Sequence, residues 1–316
     1  MLKSRMMSKV NKQFLIEHKA ALALVVMIIV MSCLNQYFLT WNNILVILQQ
    51  TSVNAVIAVG MTFVILTKGL DLSVGSVLAL CGVICAFLLQ WMVPIYLVIP
   101  LTILAGVIFG GVSGTIVTKG AVQPFIATLI TMTLFRGLTM VFSDGYPVAT
   151  SSDAFAFIGT GSLLGIPFPV YIMAVVFAVS FYVLKYTRFG RYVYATGGNE
   201  EATKLAGIRV NRIKFAVYAI SGALSAVAAM IITSRLSSAQ PTAGTGYELD
   251  AIAAVVLGGT SLFGGKGKIM GTLMGALIIG LLSNALNLMD VSSYYQMIVK
   301  ALVILIAVLF DFKVKN

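Results

Sequence analysis

The apolar positions of the chain fall into ten runs, near 20–38, 44–67, 71–90, 94–117, 121–142, 167–185, 213–233, 250–264, 268–288 and 294–310. A helix of about 20 apolar residues crosses the hydrocarbon core of a bilayer. The runs therefore predict an all-α, polytopic membrane protein with about ten transmembrane helices. The eighth run is short and glycine-rich, so it reads as either a full span or a re-entrant, broken segment. Pro94, Pro124 and Pro167 stand near the starts of runs, where a missing amide donor costs least. No linker or change of composition divides the chain, which predicts one transmembrane domain over 1–316. The first run is long and lacks a small-x-small cleavage site, so it reads as a retained span and not a signal peptide.

Composition fits this reading. Of the 316 residues, 59% are hydrophobic and 10% charged, with a mean hydropathy of +1.02. Soluble domains carry about 25% charged residues, so too few charges are present to cover a surface in water. The net charge of +11 is sorted by loop. With the N-terminus inside, the inner segments hold Lys3, Arg5, Lys9, Lys12 and Lys19, then Lys68, then Lys119. The large loop adds Lys185, Arg188, Arg191, Lys204, Arg209, Arg212 and Lys214, and Lys266, Lys268, Lys313 and Lys315 complete the set. That is 18 of the 21 lysines and arginines. Cationic loops resist translocation, so the expected location is the cytoplasmic membrane with both termini in the cytoplasm. No basic groove interleaved with aromatics is present, and nucleic acid is not an expected partner; membrane lipid is.

Few residues are equipped for covalent chemistry or metal binding. His18 is the only histidine, and Cys33, Cys81 and Cys85 all lie in apolar runs. No metal site or catalytic residue is expected. Gly259-Thr-Ser-Leu-Phe-Gly-Gly-Lys266 superficially resembles a phosphate loop, but Thr260 replaces the first glycine of the pattern and Gly267 the metal-binding hydroxyl residue. Gly110 and Gly114, and Gly271 and Gly275, have small-xxx-small spacing; intrachain packing is the expected use, a dimer contact the alternative. An ungapped match at offset 196 (Ala55, Ala58, Val59, Gly69 and Gly75 against Ala251, Ala254, Val255, Gly265 and Gly271) hints at a repeat.

Two groups of polar residues are candidates for function. Asn199-Glu-Glu-Ala-Thr-Lys-Leu-Ala-Gly207 lies in the most basic loop. Asn199 suits an N-cap, Glu200 and Glu201 the positive end of a helix dipole, and Gly207 a left-handed stop. A short extramembrane helix is expected, either a solvated connector or a docking element for a cytoplasmic partner. Gln50 and Asn54 stand four apart on the second run, and Asn284 and Asn287 three apart on the ninth. Amides both donate and accept, which suits a neutral, hydroxyl-rich solute; interhelical bonding is the alternative. Arg136 and Lys300 lie within runs, and snorkelling or pairing with an outer acid such as Asp290 is expected. No acid is expected at membrane depth, which disfavours proton-driven transport.

Several stretches carry a family resemblance. They are Leu48-Gln-Gln-Thr-Ser-Val-Asn-Ala55, Gly69-Leu-Asp-Leu-Ser-Val-Gly75, Gly190-Arg-Tyr-Val-Tyr-Ala-Thr-Gly-Gly-Asn-Glu200 and the run from Arg235 through Asp250 to Lys266. Together they resemble the sugar-importing permeases of bacterial ABC transporters, over about residues 13–310. The resemblance implies a homodimer that forms the translocation path, a partner ATPase with two nucleotide-binding cassettes, and a periplasmic sugar-binding protein. ATP and magnesium would bind the ATPase, leaving this chain without a cofactor. The family's Glu-Ala-Ala-x-x-x-Gly coupling motif falls on Glu201, Ala202, Thr203 and Gly207, with Thr203 in place of the second alanine. The implied roles are ATPase coupling for Asn199, Glu200, Glu201, Ala202 and Gly207. The amides Gln50, Asn54, Asn284 and Asn287 would line the pathway of a pentose or hexose.

Overall fold

A computed structural model describes residues 19–150 and 152–315, with the side chains of residues 20–150 and 152–305. Each of the ten apolar runs holds a helix. In chain order the helices are α1 (Lys19–Leu34), α2 (Trp41–Leu66), α3 (Val74–Gln90), α4 (Ile95–Lys119), α5 (Pro124–Ser143), α6 (Asp153–Thr160), α7 (Phe168–Tyr186), α8 (Arg188–Gly198), α9 (Glu200–Leu205), α10 (Val210–Leu236), α11 (Tyr247–Leu257), α12 (Ile269–Leu288) and α13 (Ser293–Lys315). Of these, α6 and α8 lie in loops where the hydropathy pattern gave no sign of them. Two short antiparallel pairs tie loops together: β1 (Val148–Ala149) with β4 (Ser238–Ala239), and β2 (Ser162–Leu163) with β3 (Ile166–Pro167).

Among the described residues, six helices (α2, α4, α5, α7, α10 and α12) are long and apolar enough to cross a membrane. Ala20–Leu34, Val74–Gln90 and Ser293–Leu305 are shorter apolar stretches. The helix of the eighth run has 11 residues and ends at Leu257, not at 264. At 1.5 Å per residue, α3 and α11 are both shorter than the ~30 Å core of a bilayer. Non-helical segments precede each of them, 67–73 before α3 and 240–246 before α11. Unpaired backbone at such depth is tolerated only inside protein; Gly69, Asp71 and Ser73 of the first break and Pro241 and Gly244 of the second are buried, while Lys68, Thr242 and Thr245 stay exposed.

The first break is held by an acid. Asp71 is 1% exposed, and its Oδ1 accepts from the Ser73 amide at 3.0 Å and from Ser73 Oγ at 2.6 Å. Its Oδ2 accepts from Ser221 Oγ of α10 at 2.7 Å. This local turn is why the third helix begins at Val74 and not at 71. It also corrects the expectation that no acid lies at depth: Asp71 and Asp250 are both buried.

The two breaks belong to halves of opposite direction. The first half runs α2, break, α3, α4, α5; the second runs α10, break, α11, α12, α13. Contacts fix the directions. Leu70 lies beside Tyr218 near the start of α10, while Gln49 near the start of α2 reaches Gly159, which abuts Arg235 at the end of α10. So α2 and α10 are antiparallel, and their successors inherit the reversal. The packing repeats too: α10 lies on α4 as α2 lies on α12. The offset-196 match is a different relation, pairing α2 with its parallel neighbour α11. The halves meet where the breaks meet, with the Gly75 backbone against that of Gly244. A side chain on Gly75 would strike the Gly244 carbonyl, and Gly244 itself has φ +72°.

The glycine pairs serve packing within the chain. Gly110 and Gly114 of α4 face Tyr218, Gly222 and Phe215 of α10; Gly271 and Gly275 of α12 face Gly258 and Ala254. The core is correspondingly dense around α2, where every residue from Thr51 to Leu66 is buried except Asn54. Large exposed apolar side chains cluster on α1, α4, α5, α7 and α13, among them Ile29, Leu104, Ile130, Val175 and Leu302. These are the faces available to lipid.

Candidate functional site

The short helix expected over 199–207 forms, as α9. Asn199 Oδ1 accepts from the Ala202 amide at 3.0 Å, satisfying one of the orphan donors of α9. Gly207 follows the helix at φ +80°, with its amide donating to Lys204 O at 2.9 Å. Glu200 bridges Lys204 at 2.8 Å and Lys214 of α10 at 2.6 Å. Partial burial raises the Glu200 pKa, but hydrogen bonds and charge from Lys204 and Lys214 outweigh it and hold the carboxyl below its ordinary value. Thr203 turns inward, 5% exposed, with its hydroxyl donating to Asn199 O. Glu201, Ala202 and Leu205 face outward, Leu205 at 90% exposure. The position that departs from the family motif is thus the one facing the protein.

A glycine contact seats this loop on the bundle. Gly197 of α8 presses its backbone on Leu66 at the end of α2 and on Gly265, and the Gly265 amide donates to Leu66 O at 3.0 Å. The phosphate-loop-like stretch 259–266 is therefore a turn packed against α8, and its glycines are used for close approach.

The four amides separate. Asn284 is 4% exposed and exchanges paired bonds with Asn43 of α2 at 2.9 and 3.0 Å. Asn287 is exposed and accepts from Gln296 of the α13 helix at 2.7 Å. Gln50 is exposed on α2. Asn54 is half-buried at the middle of α2 and donates through Nδ2 to Asp250 Oδ2 at 3.4 Å, a long contact. Its Oδ1 is buried with no partner.

Sequence reasoning missed Asp250. Lys300 of α13 pairs with it at 2.8 Å, in place of the expected Asp290. Arg136 of α5 does not snorkel: Nη1 donates to Pro241 O at 2.7 Å and to Ala243 O at 2.9 Å. Both intramembrane cations are thus spent on the second break and the first turn of α11. The clue lay in the sequence, since Glu248 and Asp250 open the short glycine-bounded eighth run.

On the opposite side, α6 caps the bundle. Its Ser234 contacts are with Phe155 O and the Gly159 amide, and Gln49 donates to Gly159 O. The β1–β4 pair joins this loop to the start of the second break.

The model of the family described as "Branched-chain amino acid transport system / permease component" matches residues 43–308. The chain belongs to this permease family. It is a transporter component, not an enzyme. The ribose import permease protein of Haemophilus influenzae is 64% identical over 303 residues, covering 95% of this chain and 94% of that one. Its counterpart in Escherichia coli K12 is 58% identical over 307 residues, 96% of each. A D-allose transport system permease protein of Escherichia coli K12 is 41% identical over 277 residues, 87% of this chain and 85% of that one. No solved structure matches the chain.

Proposed function

We propose that this chain is the membrane-spanning permease subunit of an ATP-driven importer of D-ribose. The observation that carries the solute is the 64% and 58% identity to two ribose import permeases over nearly the full chain, against 41% to an allose permease. The chain catalyses no covalent step. It offers a sugar pathway whose inward- and outward-facing states are biased by a partner.

In this reading the chain crosses the bacterial inner membrane ten times as one transmembrane domain, with both termini cytoplasmic. The short helices α3 and α11 complete their crossings through the breaks that precede them. The antiparallel run of α2 and α10 and the sorted basic residues support that topology. Two copies form the path. A double-cassette ATPase, which alone binds ATP and magnesium, meets Asn199, Glu200, Glu201, Ala202 and Gly207 on the basic side. A periplasmic sugar-binding protein docks on the opposite side, on loops 143–166 and 235–249, which β1–β4 pairing ties into one surface. The sugar passes Gln50 and Asn54, while Asn284, paired with Asn43, and Asn287, bonded to Gln296, brace α12 beside the entry.

The test is uptake of labelled D-ribose by membrane vesicles containing the chain with its ATPase and binding protein. Uptake is expected to need ATP and to be competed by excess D-ribose well before D-allose or D-xylose. Ribose uptake by the chain alone, driven by an ion gradient, would refute the reading in favour of a secondary carrier.

A further inference from the structure

Three polar side chains from three helices converge at the middle of α2. Asn54 is the one residue between Thr51 and Leu66 that is not fully buried, so this point is the least enclosed part of that stretch of α2. Lys300 Nζ and Asn54 Nδ2 share the same Asp250 oxygen, at 2.8 and 3.4 Å. The Lys300 and Asp250 side chains keep 23% and 9% of their exposure. Asn54 Oδ1 is a buried acceptor without a donor, which a native interior rarely leaves in place without use. An ammonium has three donors, and Lys300 has one of them on Asp250.

We propose that Asn54, Asp250 and Lys300 form a hydrogen-bonding station for the hydroxyl groups of the sugar in transit. The chemistry fits a neutral polyol. Asn54 Oδ1 is buried and lacks a donor; a turn of the amide presents it to a hydroxyl, which donates to it and accepts from the remaining Lys300 N–H groups, while the ion pair keeps the site neutral overall. In the resting arrangement the Asn54 contact to Asp250 is long, so a sugar hydroxyl displaces little. Arg136 acts as a positioning residue: its bonds to Pro241 O and Ala243 O fix the segment that carries Asp250. The two cations come from corresponding helices of the two halves, α5 and α13, so the station is held from both.

This station rests on the permease reading above, and its test separates the two. The complete importer in proteoliposomes is assayed for D-ribose uptake and for ATP hydrolysis stimulated by the ribose-loaded binding protein. Asn54→Ala is expected to lower uptake at least tenfold while hydrolysis stays within twofold of wild type. Asp250→Lys combined with Lys300→Asp is expected to restore assembly relative to either single change but to leave uptake at least tenfold down. Uptake within twofold of wild type in Asn54→Ala, or in the swapped pair, would overturn the station. Parallel loss of uptake and hydrolysis in Asn54→Ala would overturn it too, in favour of packing. A wild-type importer that carries no ribose would refute the functional reading itself.

Discussion

Gly207 ends α9 with φ +80°, and substitutions there should rank by how well each residue reaches that angle. Alanine in the left-handed region costs about 1–2 kcal/mol, because its Cβ meets the following carbonyl. Asparagine tolerates the region better. Proline is locked near φ −65° and cannot reach it. It also removes the Gly207 amide bond to Lys204 O, 2.9 Å long, worth roughly 1 kcal/mol. No neighbour lies within 4 Å of a Cβ built at Gly207, so the backbone is the whole effect. At tenfold per ~1.4 kcal/mol, an alanine penalty near 2 kcal/mol shifts the docked conformation by about 30-fold at most. The proline effect exceeds that. Vesicle uptake of ribose should therefore fall in the order Gly, Asn, Ala, Pro, with Gly207→Pro near background. The amount of chain in the membrane should not change, because the glycine is exposed and no helix packs on it. Uptake by Gly207→Pro equal to or above that of Gly207→Ala would refute the geometric reasoning. Loss in proportion to membrane content would refute the coupling role.

Glu201 is exposed on α9, so Glu201→Lys should leave the chain in the membrane while weakening co-purification with the ATPase, and unchanged co-purification would remove it from the docking face. Gly222→Val would drive a side chain onto the Gly106 carbonyl where α10 crosses α4. Overpacking of this kind costs about 1–3 kcal/mol or more, and a lowered thermal midpoint in detergent checks it. Gly137→Ala, with nothing within 4 Å, is the control and should be neutral or stabilising by up to about 1 kcal/mol. Glu200 gives a pH dependence. Its folded pKa lies below the ordinary 4.5, so its tie to Lys214 is fully present above that value and is lost as pH falls through the depressed folded value. A fluorophore on a cysteine at position 205 should report that acid transition, and Glu200→Gln should abolish it.

How much of this was legible depends on the range of the interaction. The α9 helix could be read because its cap, its acidic first turn and its stop all lie within nine residues. Helix positions could be read because lipid selects apolar length. What could not be read was the choice of partner across helices. Asn284 and Asn287 are three residues apart, hence only about 60° apart around the helix, yet the edge of the buried face falls between them. One pairs with Asn43 in the core, and the other reaches Gln296 outside it. Lys300 had an acid near it in sequence, Asp290, and took one 50 residues away, because α13 packs along α11 and brings Asp250 level with it. Asp71 sat at the edge of an apolar run and looked incompatible with membrane depth. The donors that make it tolerable, Ser73 and Ser221, are 2 and 150 residues distant. Each miss concerns a polar group at depth, where solvation must come from the protein and cannot come from lipid. Such groups carry no local signature, since the residue that satisfies them is set by the fold. The same reasoning makes Asn54 informative: like Thr51, Thr196 and Thr260 it holds a buried polar atom that finds no partner among the described residues, and of these it is the one side chain on α2 that is not fully buried.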